Sequence, residues 1–121
     1  MKFEQCRVYD LRDIFINPDD IRAGWIKKFR GTQHEKVQMV RQICTMKKID
    51  LFVDIGANYG EFTSAVSDVV NNSICFEPNQ NVFPYLSKTF ENDQNVLVLP
   101  DAVGVDEETC KFTIHKRYSG G

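Results

Sequence analysis

Several features that mark common protein classes are scarce or missing in this sequence of 121 residues. No apolar run approaches the ~20 residues needed to cross a bilayer, and the first ten residues lack the apolar core of a signal peptide. Neither charge sign dominates, because 15 basic and 17 acidic residues are mixed along the chain, so no electrostatic footprint for nucleic acid stands out. We therefore expect one globular cytoplasmic domain with no nucleic-acid or membrane partner.

Residues that commonly bind metal are also few and scattered. The two histidines, His34 and His115, are far apart in the sequence, and we expect both on the surface. No two of the four cysteines have the short spacing of a zinc site or a redox dithiol. The sequence therefore predicts no structural metal, and it predicts reduced, buried thiols that behave as small hydrophobic side chains.

Capping signals predict two helices in the first part of the chain. In the segment Asn17-Pro18-Asp19-Asp20, Asn17 is a capping residue, Pro18 suits the first helical turn, and the two acids favour the positive end of the helix dipole. Apolar positions at helical spacing continue this helix as far as Gly31. Thr32 and Glu35 form the Thr-x-x-Glu pattern of a capping box, which predicts a second helix reaching Lys47 or Lys48.

From residue 51 onward, short apolar runs alternate with helical patterns. The predicted strands are Leu51–Ile55, which we expect to be buried on both faces, Ile74–Phe76 and Val96–Leu99. Helices are predicted between them, and a half-exposed strand is predicted around residues 110–114. This order predicts an α/β fold with a doubly wound parallel sheet. Three parallel strands are few for such a sheet, so the domain looks cut short at its C-terminus, and we expect either a missing partner or poor solubility.

A glycine turn follows the first predicted strand. Gly56 and Gly60 allow the backbone to approach a ligand without a Cβ in the way, and Asn58 lies between them. This Gly-x-Asn-x-Gly spacing fits a dinucleotide fingerprint poorly, and it fits the turn of methyltransferases well. Asp54 precedes the first glycine by two residues, where it would face an ammonium group such as that of S-adenosylmethionine.

Acids also follow the next two predicted strands. Glu77 comes directly after Phe76, where a carboxylate can accept hydrogen bonds from both ribose hydroxyls of an adenosine-like ligand. Asp101 follows the third strand and is positioned to meet the adenine amino group, with Ala102 leaving space for the ring. Because parallel strands end at one edge of the sheet, we expect Asp54, Glu77 and Asp101 at a common rim.

Each of these residues also has an ordinary structural interpretation. Asp54 could be a buried acid held by backbone amides, the glycines could punctuate a helix, and residues 77–79 could form a plain turn. Asn58 could cap the following helix. The candidate cofactor-binding residues are Asp54, Gly56, Ala57, Asn58, Gly60, Glu77, Pro78, Asp101 and Ala102.

Three segments in combination resemble the FkbM-type family of class I S-adenosylmethionine-dependent methyltransferases. They are VDIGANYGEFT from Val53, CFEPN from Cys75 and DAVG from Asp101, and the ending Ser119-Gly120-Gly121 is similar to a further family segment. The resemblance covers the chain from about Glu35 onward and implies a Rossmann-like fold, with residues 34–121 as the N-terminal portion of the cofactor-binding domain. Residues 1–33 are not covered by it, and their helical pattern predicts a helical lead-in.

The resemblance also implies an activity. Members of the family that this sequence resembles methylate hydroxyl groups, often on sugars or natural products. The resemblance implies that Asp54, Gly56, Asn58 and Gly60 surround the methionine part of the cofactor. No catalytic base can be assigned, and a homo-oligomer or a missing C-terminal half could complete the protein. Two alternatives stay open. The first is a non-catalytic S-adenosylmethionine- or nucleotide-binding module. The second is an NAD-dependent oxidoreductase, for which the glycine spacing is wrong.

Overall fold

The computed structural model describes residues 1–105 and residue 119. The chain begins with strands β1 (Glu4–Val8) and β2 (Arg12–Ile16), which are followed by helices α1 (Ile21–Phe29) and α2 (His34–Met46). It continues with β3 (Leu51–Ile55), α3 (Glu61–Val66), β4 (Asn72–Phe76), α4 (Phe83–Thr89) and β5 (Val96–Leu99). The strand predicted around residues 110–114 lies outside the described residues, as do Cys110 and His115.

The three later strands form a parallel sheet in the order β3-β4-β5. Val53 pairs with Ile74, which pairs with Leu97, so the strands end together at their carboxyl ends. The predicted α/β alternation is confirmed, and β3 and β5 have the predicted bounds. Helix α3 is shorter than its apolar pattern indicated, and Pro84 falls in the first turn of α4, as expected.

The two faces of this sheet have different surroundings. Helices α3 and α4 cover one face, where Cys75 packs with Leu86 and Phe90. On the opposite face of β3, Leu51, Val53 and Ile55 are all about half-exposed or more, as is Leu97 of β5. The prediction that the first of these strands is buried on both faces is therefore wrong for the described structure, because both crossover helices lie on the same side.

The N-terminal segment contains a β-hairpin that the sequence analysis missed, so a purely helical lead-in is wrong. β1 and β2 are antiparallel, and Tyr9 and Asp10 form the turn with positive φ of 55° and 56°. The inward side chains of the hairpin pack with α1, with Tyr59 and with α4 residues in one buried cluster. At the other side of the hairpin, Thr89 Oγ1 accepts the Phe15 N–H at 2.8 Å.

Both of the first two helices begin later than their capping signals indicated. A cap at Asn17 is wrong, because α1 begins at Ile21 and Asp20 caps it by accepting the Arg22 N–H at 3.0 Å. The predicted capping box at Thr32 is wrong, because α2 begins after Gln33, which makes no side-chain cap, and the Thr32 hydroxyl donates instead to Glu61 Oε2 at 2.7 Å.

The three cysteines within the described residues, Cys6, Cys44 and Cys75, are free and buried, as expected. Burial raises the pKa of each of these thiols. His34 is exposed, also as expected. None of the helices in the described part of the chain is long and apolar enough to span a membrane.

The open sheet face yields a stability test. In the triple variant Leu51→Thr, Val53→Thr and Leu97→Thr, we expect the free energy of unfolding to fall by only about 1 kcal/mol, because these side chains are already largely hydrated. We also expect weaker binding of an apolar fluorescent dye. As a control, Ile14→Thr in the buried cluster should cost about 2–4 kcal/mol. Urea denaturation measures the free energy of unfolding of the triple variant and of the control. A large loss of unfolding free energy in the triple variant would contradict an open face.

Candidate functional site

The glycine turn, residues 56–60, joins β3 to α3 and is held against the end of β4. Gly56, Asn58 and Gly60 have positive φ of 69°, 54° and 82°. The N–H groups of Gly56 and Ala57 both donate to Phe76 O, at 2.9 Å and 3.0 Å. The turn therefore stands at the carboxyl ends of adjacent parallel strands, where open α/β sheets bind ligands.

The two glycines of the turn serve different purposes. A Cβ added to Gly56 would meet no atom within 4 Å, so the space beside it is open. A Cβ added to Gly60 would lie 2.7 Å from Phe90 and 2.8 Å from Leu86, both on the α4 side. The prediction that glycine leaves room for a ligand is consistent with the structure at Gly56, and it is wrong at Gly60, where glycine permits close packing of the turn on α4.

Glu77 holds the turn through its carboxylate. Its Oε1 accepts the Asn58 N–H at 2.6 Å and its Oε2 accepts the Asn79 N–H at 2.9 Å. The residue is only 5% exposed. Glu77 therefore lies beside the glycine turn, as the sequence analysis required, and it also closes its own turn at residues 77–79. Each carboxylate oxygen retains a lone pair after accepting one N–H.

Asp54 lies on the helix-covered face of β3. Its Oδ2 accepts the Thr63 hydroxyl at 2.8 Å, and Thr63 in turn accepts the Cys75 thiol at 3.2 Å. Burial raises the pKa of Asp54, and the nearby carboxylates of Glu77 and Glu61 raise it further against the lowering effect of Thr63. The acid is therefore held by a side chain of α3, and its negative charge is destabilised where it stands.

The remaining candidates lie at the same end of the sheet. Asp101 and Ala102 follow β5 and are exposed, and Pro78 follows Glu77 and is half-buried. The Glu77 N–H donates to Leu99 O at 3.0 Å, which ties the end of β4 to the end of β5. The strand ends thus bring the three predicted acids to one edge, as expected, although the binding role of each residue stays a prediction.

Sequence reasoning missed the contribution of the lead-in to the turn. Tyr59 is fully buried, and its hydroxyl donates to Asp20 Oδ2 at 2.6 Å. The Asn58 side chain, which does not cap the following helix, accepts Arg22 Nε–H at 3.1 Å and donates to Ser119 O at 3.1 Å. Helix α1 and Ser119 therefore both meet the glycine turn, and only the family resemblance drew attention to Ser119.

Glu61, the first residue of α3, forms an ion pair and hydrogen bonds with further residues of the lead-in. Its Oε1 pairs with Arg22 Nη2 at 2.7 Å, and its Oε2 accepts from the Thr32 N–H and the Thr32 hydroxyl, both at 2.7 Å. The Tyr9 hydroxyl lies 2.9 Å from the same oxygen. Glu61 is 4% exposed, so these donors satisfy a carboxylate that would otherwise be costly to bury. A signal for this cluster was absent, because its members are separated by 29 to 52 positions.

The chain is similar to a solved structure of a methyltransferase. No family model matches the chain, and no curated protein matches it. The tRNA (uracil-54, C5)-methyltransferase of Pyrococcus abyssi, solved in complex with S-adenosyl-L-homocysteine, shares 16% identity with a TM-score of 0.56. The match covers 86% of this chain and 24% of that enzyme. The likeness shows the fold, which is the Rossmann-like α/β fold predicted from the sequence.

Substitution of the two glycines separates their roles. Gly56→Ala should cost about 1–2 kcal/mol of unfolding free energy, because alanine disfavours a positive φ but meets no neighbour here. Gly60→Ala carries the same conformational cost and forces apart Phe90 and Leu86, which should add about 1–3 kcal/mol. Urea denaturation of both variants measures the difference, and equal losses would contradict the packing role of Gly60.

Because the pKa of Asp54 is raised, we expect its replacement by asparagine to stabilise the protein in a pH-dependent way. A carboxyl whose pKa rises on folding stabilises the fold when protonated, and that contribution is lost as pH rises through the raised pKa. Asp54→Asn should therefore raise the urea midpoint at pH 7, and its advantage should shrink as pH falls toward the ordinary range of aspartate, about 4. Asp68→Asn is the control, because Arg41 lowers the pKa of that acid and its loss should not stabilise the protein.

Proposed function

We propose that this chain binds S-adenosylmethionine at the carboxyl ends of β3, β4 and β5 and forms the cofactor-binding part of a methyltransferase. The observation that carries the proposal is the hydrogen bond from the Asn58 N–H to Glu77 at 2.6 Å, which joins the glycine turn to the acid of the next strand. To bind one molecule of S-adenosylmethionine, the acid that binds the ribose and the turn that binds the amino-acid part must lie next to each other.

The residues present fit this cofactor in shape and in charge. The open space beside Gly56 is the place where a Cβ would otherwise intrude. The cofactor carries a sulfonium and an ammonium group, and the turn is lined by Asp54, Glu61 and Glu77, which leave excess negative charge. When bound, the cofactor would supply an electrophilic methyl group on its sulfonium sulfur.

The assignment of groups follows the order of the strands. Asp54 would bind the ammonium group, and the backbone of Gly56, Ala57 and Asn58 would follow the methionine part. The lone pairs that Glu77 retains would accept the ribose hydroxyls, beside Pro78. In this proposal Asp101 and Ala102 contact the adenine, while Gly60 serves the packing of the turn.

The acceptor is proposed from the sequence resemblance. A hydroxyl of a sugar or a small natural product fits the FkbM-type pattern, and the balanced charge of the chain favours such an acceptor over nucleic acid. The Pyrococcus enzyme acts on tRNA, so the two acceptors would differ on a shared fold.

Calorimetric titration tests the proposal. We expect S-adenosylhomocysteine to bind and NAD not to bind. Asp54→Asn should weaken the binding of S-adenosylhomocysteine while raising the stability of the free protein. Asp101→Ala should weaken it about 2-fold to 10-fold through one lost hydrogen bond, with little change in stability because the residue is exposed.

Two outcomes would contradict the proposal. The first is preferential binding of NAD, which would favour an oxidoreductase. The second is an affinity for S-adenosylhomocysteine that neither variant changes, which would show that the ligand binds elsewhere than at these strand ends. Lys36→Ala, on an exposed side of α2, is the matched surface control.

A further inference from the structure

Negative charge dominates the surroundings of the glycine turn. Asp20, Glu61 and Glu77 are each less than 10% exposed, and Asp54 stands at the end of the preceding strand. Among the described residues, no lysine and no arginine except Arg22 forms a hydrogen bond to the turn or to the first residue of α3. Among the described residues, Arg22 is therefore the cation best placed to meet an anionic group in this region.

The Arg22 guanidinium is fixed and partly accessible. Its Nε donates to Asn58 Oδ1 at 3.1 Å, and its Nη2 pairs with Glu61 at 2.7 Å. A guanidinium carries five N–H donors, so these two bonds leave donors for a ligand. The side chain is 18% exposed, whereas that of Glu61 is 6% exposed. The arginine is thus oriented by a buried carboxylate and still reaches the surface beside the turn.

We propose that Arg22 binds the carboxylate of the amino-acid part of the ligand, an inference that rests on the proposed function. In S-adenosylmethionine the ammonium and carboxylate groups are attached to the same carbon atom. If Asp54 meets the ammonium, the carboxylate lies close by among acids that repel it. Arginine is suited to a carboxylate, because its planar fork can donate two parallel hydrogen bonds. The lead-in, which the sequence left unassigned, thereby becomes part of the binding site.

A pair of ligands separates direct binding by Arg22 from a purely structural role. S-adenosylhomocysteine contains the amino-acid part, and 5′-methylthioadenosine has the same nucleoside and thioether without it. In Arg22→Gln we expect the affinity for S-adenosylhomocysteine to fall about 10-fold to 100-fold, as for a lost hydrogen bond between charged groups. The affinity for 5′-methylthioadenosine should change by less than about 2-fold. Calorimetry with each ligand provides both values.

Controls address folding and charge. The substitution leaves Glu61 buried without its partner, so the double variant Arg22→Gln, Glu61→Gln removes both charges and should show the same selective loss. Arg41→Gln breaks a more exposed ion pair, with Asp68 beyond the C-terminal end of α3, and should leave both affinities unchanged.

The outcomes are distinguishable from failure of the proposed function. An equal loss of both ligands in Arg22→Gln and in the double variant would overturn the inference and reduce Arg22 to a support for the turn. Unchanged affinity for S-adenosylhomocysteine would overturn it as well. If the unmodified chain binds neither ligand, the proposed function itself fails.

Discussion

The contact on which the site depends is the buried carboxylate of Glu77 accepting the N–H of Asn58. The turn after β3 takes left-handed backbone conformations at Gly56 and at Asn58, and a non-glycine residue in that region is strained. The strain is tolerated because the N–H that this conformation directs toward β4 meets a charged acceptor, and hydrogen bonds to charged groups are among the stronger ones. The same bond fixes the separation between two strand ends, so fold and candidate site share one constraint.

A second set of contacts holds the opposite side of the turn. The Tyr59 hydroxyl donates to Asp20, and the Asn58 side chain accepts from Arg22. Glu61 accepts hydrogen bonds from the lead-in. The lead-in is therefore a structural part of the turn and not a detachable extension. Loss of the lead-in would remove the cation and the hydroxyl donor of Glu61 and expose its carboxylate to water, so α3 and the turn would lose these contacts.

The sequence predicted the parts of the fold that local pattern determines. The strands Leu51–Ile55 and Val96–Leu99 were predicted with correct bounds, because these compact apolar runs are bounded by Asp50 and Gly56 and by Asn95 and Pro100. The hairpin was missed because its turn uses Tyr9 and Asp10 with positive φ in place of the usual Asn-Gly. Thr32 was assigned to a cap because its true acceptor, Glu61, is distant in sequence. Contacts between remote residues left no periodic signal to detect.

Hydrogen bonds around the turn satisfy its acids without cancelling their charge. Each oxygen of Glu77 accepts one backbone N–H, and Glu61 accepts an N–H and a hydroxyl of Thr32, yet these donors are neutral. Arg22 supplies one positive charge against several carboxylates. Burial is the main cause of the raised pKa of Asp54, and the neighbouring carboxylates of Glu77 and Glu61 raise that pKa further. A cation placed beside Gly56 would lower the electrostatic energy of the turn, so the excess of carboxylates around it favours a positively charged ligand.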